Sequence, residues 1–125
     1  MNNPELINSL ALAYLGDSIY EVYVRKYLLN KNISKVNELQ KNAVKYVSAK
    51  GQCNYLNLMI ENSFLTEKEI EIVKRARNHK SHSQPKNTDI ITYKQATGLE
   101  ALIGYLYLSN NIDRINDIMN YIFEN

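Results

Sequence analysis

Two carboxylates stand alone in long uncharged stretches, each close to a glycine: Asp17 in Ser9-Leu-Ala-Leu-Ala-Tyr-Leu-Gly-Asp-Ser-Ile-Tyr20, and Glu100 in Ala96-Thr-Gly-Leu-Glu-Ala-Leu-Ile-Gly-Tyr-Leu-Tyr-Leu108. Both stretches read as helices that bury most of their surface. A charge held there loses hydration worth several kcal/mol unless a cation, a metal or a set of donors compensates it. Gly16, Gly98 and Gly104 each cost about 1 kcal/mol against alanine within a helix, which close approach of another backbone explains. Helices crossing at these glycines bring Asp17 and Glu100 together. Two converging acids suit a hard cation such as Mg²⁺, which takes oxygen ligands from one or two carboxylates and completes its shell with water and substrate phosphate.

A second feature lies between them in sequence. Lys74-Arg-Ala-Arg77-Asn-His-Lys80-Ser-His-Ser-Gln-Pro-Lys86-Asn places five formal positive charges, Lys74, Arg75, Arg77, Lys80 and Lys86, with no acid before Asp89. Lysine and arginine bind a phosphate backbone electrostatically, while Asn, Ser and Gln bond phosphate or ribose hydroxyls. On charge alone this is equally a solvated run. A cation that activates water beside a cradle for polyanions, however, describes phosphodiester hydrolysis.

The elements that must hold these residues are helices, because apolar residues recur at helical spacing and period-two alternation is not sustained anywhere. Pro4 suits the first turn of a helix running to about Leu29, with Leu6, Leu10, Ala13, Ile19, Val22 and Tyr23 as inward candidates. Ser34 offers a cap for a helix from about Val36 to Lys50, Gly51 permits a break, and a further helix covers about Gln52 to Asn62. Thr66 with Glu69 forms a capping box that opens the next helix. From Asn78 to Thr92 periodicity vanishes and Pro85 forbids a helix interior, so this is the long loop. The helix after it carries Glu100, and a final one spans about Asp113 to Phe123.

Length and composition agree with one all-α domain over residues 1–125: 45% of the residues are hydrophobic, enough for a core. A formal net charge of +2 neither demands nor excludes a nucleic-acid partner. One cysteine, Cys53, excludes an intramolecular disulfide and a multi-cysteine zinc site, and reads as a small buried hydrophobe. His79 and His82 lack partners at ligand spacing, and no glycine-rich phosphate loop or nucleophile elbow is present. The N-terminal residues do not form a signal peptide, and no window is apolar enough to span a membrane, which predicts a soluble cytoplasmic protein.

Two other classes compete. A non-enzymatic RNA-binding or ribosome-assembly module would pair Asp17 and Glu100 with buried arginine or lysine and need no metal. A helical protein-interaction domain would use the ten tyrosines but leaves the paired acids and the basic segment unexplained. Glu21 could face the acidic site, although pairing with Arg25 one turn on is the simpler role. Glu38 could support the site from behind, or simply complement a helix N-terminus.

Leu12-Ala-Tyr-Leu-Gly-Asp-Ser-Ile-Tyr-Glu21 resembles the signature helix of the ribonuclease III family, with Asp17 falling on its catalytic acid. Leu99-Glu-Ala-Leu-Ile-Gly104 resembles the family's later metal-binding helix, with Glu100 on its essential glutamate, and Val47-Ser-Ala-Lys50 resembles the stretch between them. The match spans nearly the whole chain as a ribonuclease III catalytic-domain-like bundle. It leaves no residues for the family's usual double-stranded RNA-binding domain.

Two positions depart from the ordinary pattern: Ala13 stands where a glutamate is usual and Thr97 where an aspartate is usual. With Lys74-Arg-Ala-Arg-Asn-His-Lys-Ser81 and Pro85-Lys-Asn-Thr-Asp89, these departures look like the short bacterial subfamily, Mini-ribonuclease III. The resemblance implies a homodimer that cleaves double-stranded RNA with Mg²⁺, leaves 5′-phosphate and 3′-hydroxyl ends, and matures the termini of the large-subunit (23S) ribosomal RNA precursor.

Overall fold

The computed structural model describes residues 3–80 and 89–125. A 3₁₀ turn at Pro4–Leu6 precedes six helices: α1 (Ser9–Asn30), α2 (Val36–Val47), α3 (Ala49–Glu61), α4 (Glu67–Arg77), α5 (Ile90–Leu108) and α6 (Ile112–Glu124). The described residues contain no strand, so the all-α expectation holds. No described helix is long and apolar enough to cross a membrane.

The middle of the bundle is α5, whose Ala96–Leu99, Ala101–Gly104 and Leu106 are all buried. It packs against α1, α3, α4 and α6, while α2 leans on α1 and α3. Helix α1 presents Leu12, Gly16, Tyr20, Val24 and Leu28 to the interior. A repeat of four residues keeps them on one face. The opposite face is wet, with Tyr14, Val22 and Leu29 among its exposed large side chains.

Several boundaries differ from the periodicity reading. Pro4 forms the 3₁₀ turn instead of opening α1, because Asn8 caps that helix by accepting from the amides of Leu10 and Ala11. This leaves Leu6 exposed. Helix α2 starts behind Lys35, which makes no side-chain cap bond, so Ser34 does not serve as the cap. The break between α2 and α3 falls at Ser48, whose hydroxyl accepts from the Gly51 amide at 3.0 Å. Gly51 is still required at that corner, since a Cβ there would overlap the Lys45 carbonyl.

The capping box at Thr66 and Glu69 is present, with reciprocal bonds of 3.1 and 2.9 Å. Helix α5 begins at Ile90, inside the expected loop, because Asp89 caps it through the Thr92 amide at 2.9 Å. His82, Pro85 and Lys86 lie outside the described residues.

Candidate active site

The glycines bring the two acidic helices into contact. A Cβ on Gly16 would overlap the carbonyl oxygen of Glu100 and lie 2.9 Å from the Gly104 amide nitrogen, while one on Gly104 would overlap the carbonyl oxygen of Leu12. Helices α1 and α5 therefore cross in van der Waals contact of their backbones, running in opposite senses. Gly98 serves a different neighbour: a Cβ there would meet Val73 on α4 at 2.9 Å.

Asp17 follows Gly16 on α1 and, contrary to the expectation of two buried acids, its side chain is exposed; Glu100 is half-buried. The Glu100 carboxyl is pushed up to about 8, first by burial and then by the Asp17 carboxyl, which is near enough to hydrogen-bond to it and to repel its charge. The amide of Gln52 opposes that shift, donating from Nε2 to Glu100 Oε2 at 3.4 Å. Tyr20 lies near the same carboxyl, and its hydroxyl donates to the Tyr46 carbonyl at 2.7 Å.

Another acid in the same bundle shows what compensation looks like. Glu69 is buried, and burial by itself would raise its carboxyl, yet it is held below the usual range by Arg114. The guanidinium donates Nε to Oε2 and Nη2 to Oε1, both at 2.8 Å, and Nη2 also reaches the Phe64 carbonyl. Glu100 has no such partner: among the described residues no lysine, arginine or histidine forms an ion pair with Glu100 or Asp17. The salt-bridge interpretation of these acids therefore finds no cation among the described residues.

The residues fit a cation held by few protein ligands. Among the described residues no group of three or more His, Cys, Asp or Glu could hold a metal, and the carboxylates that meet at this crossing are Asp17 and Glu100. The departures at Ala13 and Thr97 have local reasons. Ala13 packs in an apolar cluster with Leu12, Ala76 and Ala101. The buried Thr97 hydroxyl donates to its own helix, at the Tyr93 carbonyl, 2.9 Å away. Such a shell, completed by water and substrate oxygens, is the habit of Mg²⁺.

The basic residues fall into two groups. Lys74, Arg75 and Arg77 lie in the last turn of α4, which is capped by Asn78, and Lys80 follows as an exposed residue. Lys74 is exposed as well. Arg75 donates to the Glu5 carbonyl at 2.8 Å and ties the N-terminal turn to α4. Arg77 donates to Gln95 Oε1 at 3.2 Å, and Gln95 donates in turn to Asn57 Oδ1 at 2.9 Å, so α4, α5 and α3 are joined by polar bonds. Lys86 lies outside the described residues.

Other residues behave structurally. Glu21 pairs with Arg25 at 3.0 Å, and Glu38 is exposed in the first turn of α2. Cys53 is buried, and burial pushes its thiol up. Several tyrosines form the core: Tyr20, Tyr46 and Tyr55 are buried, and Tyr27 stacks on Phe123 with centroids 4.0 Å apart. This removes much of the surface that a tyrosine-based interaction domain would need.

Gln52 is the site residue that the sequence pattern did not mark. The available signal was a polar side chain among the inward positions of α3, where Gly51, Cys53, Tyr55, Leu56 and Met59 are also buried.

The family model for the ribonuclease III domain matches residues 10–111. A Mini-ribonuclease 3 of Streptococcus pneumoniae is 44% identical over 124 residues, covering 99% of this chain and 97% of the relative. One of Brevibacillus brevis is 50% identical over 121 residues, covering 97% and 89%. A crystal structure of a protein from Fusobacterium nucleatum superimposes with a TM-score of 0.86 at 34% identity, covering 99% of this chain and 98% of that one.

Proposed function

The chain belongs to the ribonuclease III family, and from that premise we propose that it is a Mg²⁺-dependent endoribonuclease specific for double-stranded RNA. The reaction is hydrolysis of a phosphodiester to 5′-phosphate and 3′-hydroxyl ends, by a homodimer acting in the cytoplasm on the 23S ribosomal RNA precursor. The observation that carries the catalytic part is the meeting of Asp17 and Glu100 at the α1–α5 crossing, with no cationic side chain among the described residues paired to either. The ribosomal precursor and the dimer rest on likeness to the short subfamily.

In this reading Asp17 and Glu100 hold the cation, directly or through water. Bound there, Mg²⁺ supplies a water of lowered pKa and offsets charge on the leaving oxygen. The exposed carboxylate of Asp17 faces solvent and so faces incoming substrate, while the half-buried Glu100 anchors from below. Lys74 in the last turn of α4 and Lys80 just beyond it are exposed and serve as phosphate contacts, with Lys86 a further candidate from the sequence. Arg75 and Arg77 can add charge to that track, although both already hold neighbouring parts of the fold. Position along the duplex is then set by backbone contacts, which carry no sequence information directly.

Incubation with long duplex RNA tests the proposal. Cleavage in Mg²⁺, loss of cleavage in chelator, and sparing of single strands are expected; cutting that persists in chelator contradicts it. Light scattering should give about twice 14.5 kDa, and a monomer that cuts both strands in one encounter would exclude the symmetric arrangement.

A further inference from the structure

Gln52 is a buried amide with no part in the mechanism above. Its relative exposure is 2%, and a buried amide that lacks a partner costs about 1–3 kcal/mol. Its backbone is tightly placed. Ser48 caps α3 through the Gly51 amide, the Gln52 amide donates to the Ser48 carbonyl at 2.9 Å, and the missing side chain of Gly51 lets the corner close on the Lys45 carbonyl. From this fixed point the side chain crosses to α5 and donates to Oε2 of Glu100 at 3.4 Å.

We propose that Gln52 is a positioning residue for the cation site: its amide engages one oxygen of Glu100, so that the other oxygen is left for the cation shared with Asp17. The inference rests on the metal reading of Asp17 and Glu100. It explains why a polar side chain occupies the apolar face of α3 and why the α2–α3 corner is built so closely. A carboxylate at a helix crossing has rotamer freedom, and a donor on a third helix removes it. Groups that orient a metal ligand from behind typically change affinity by about 10–100-fold when removed.

The test uses the RNA-free protein and Mg²⁺ itself. Gln52→Met removes the donor at similar volume, and Gln52→Asn keeps an amide but withdraws it by one methylene. Calorimetric titration should show Mg²⁺ affinity lower by roughly tenfold or more in both. The Mg²⁺ concentration for half-maximal duplex cleavage should rise in parallel, with rate recovered at high Mg²⁺. Melting in chelator should stay within a few degrees of wild type, because a purely structural glutamine would show its loss there. Should Gln52→Met fail to fold, Gln52→Asn decides, with circular dichroism confirming its helicity.

Unchanged Mg²⁺ affinity in a folded variant overturns the inference, as does a loss of activity that extra Mg²⁺ does not restore. Affinity that depends on Glu100 but not on Gln52 overturns this inference alone. Affinity that is indifferent to Asp17→Asn and Glu100→Gln overturns the metal reading as well.

Discussion

The main chain of Gly16 lies so close to that of Glu100 that a Cβ on the glycine would overlap the glutamate's carbonyl oxygen and come within 2.7 Å of its carbonyl carbon. Glu100, a proposed metal ligand, is thus set on a helix whose position is dictated by the absence of a side chain on its neighbour. Replacing Gly16 by alanine sets two effects against each other. Helix propensity favours alanine by about 1 kcal/mol, whereas forcing atoms into a closed contact costs about 1–3 kcal/mol. Because the clash is with backbone on both Glu100 and Gly104, no side chain can swing aside to relieve it. Gly16→Ala should therefore lower the melting temperature by several degrees and weaken Mg²⁺-dependent cleavage, both measurable on one preparation. Equal or higher stability with full activity would show that the crossing tolerates separation.

The protonation of Glu100 gives a pH prediction. Without metal its folded-state pKa is raised from 4.5 to about 8, so between those values the folded state binds more protons than the unfolded state and stability falls as pH rises. The penalty is absent below about pH 4.5 and complete above about pH 8. Denaturation in chelator should follow this slope, and Glu100→Gln should flatten it. At pH 7 Mg²⁺ binding should also release close to one proton, declining toward zero by about pH 9. Calorimetry in buffers of different ionisation enthalpy reads that number directly. No release at pH 7 would mean that Glu100 is already ionised or is not a ligand.

Charge at the end of α4 should appear as salt dependence. Each phosphate contact contributes a slope of about −0.9 in log affinity against log salt on B-form duplex, a value carried only loosely to RNA. In an Asp17→Asn background, Lys74→Ala with Lys80→Ala should weaken duplex binding and flatten that slope by roughly one to two units, with melting unchanged because both side chains are exposed. Arg75→Ala and Arg77→Ala should instead also lower stability, since each loses a bond to Glu5 or Gln95. An unaltered slope in the lysine pair would mean that RNA runs over another face.

The acidic pair and its crossing were legible in the chain because lone acids and helix-interior glycines each carry a penalty that demands a reason. Gly16 and Gly104 met that reasoning, but Gly98 packs on Val73 of α4, and propensity alone cannot say which neighbour a glycine admits. Asp17 turned out exposed because α1 has a wet face that its even spread of apolar residues disguises; Tyr14 at 83% and Val22 at 63% exposure lie there too. Helix ends followed side-chain caps where they competed with backbone signals, as Asn8 prevailed over Pro4 and Ser48 over Gly51. Gln52 escaped notice because an uncharged amide has neither periodicity nor charge to mark it. Its contact with Glu100 is visible only once α3 is laid against α5.

The central claim is that Asp17 and Glu100 hold the cation that drives hydrolysis, and cleavage of long duplex RNA in Mg²⁺ by Asp17→Asn beside wild type tests it most directly. The substitution removes charge at an exposed position with little change in volume, so helical circular dichroism and duplex retention should persist while cleavage is lost, and Glu100→Gln should behave alike. Cleavage by either variant at near the wild-type rate would contradict the account.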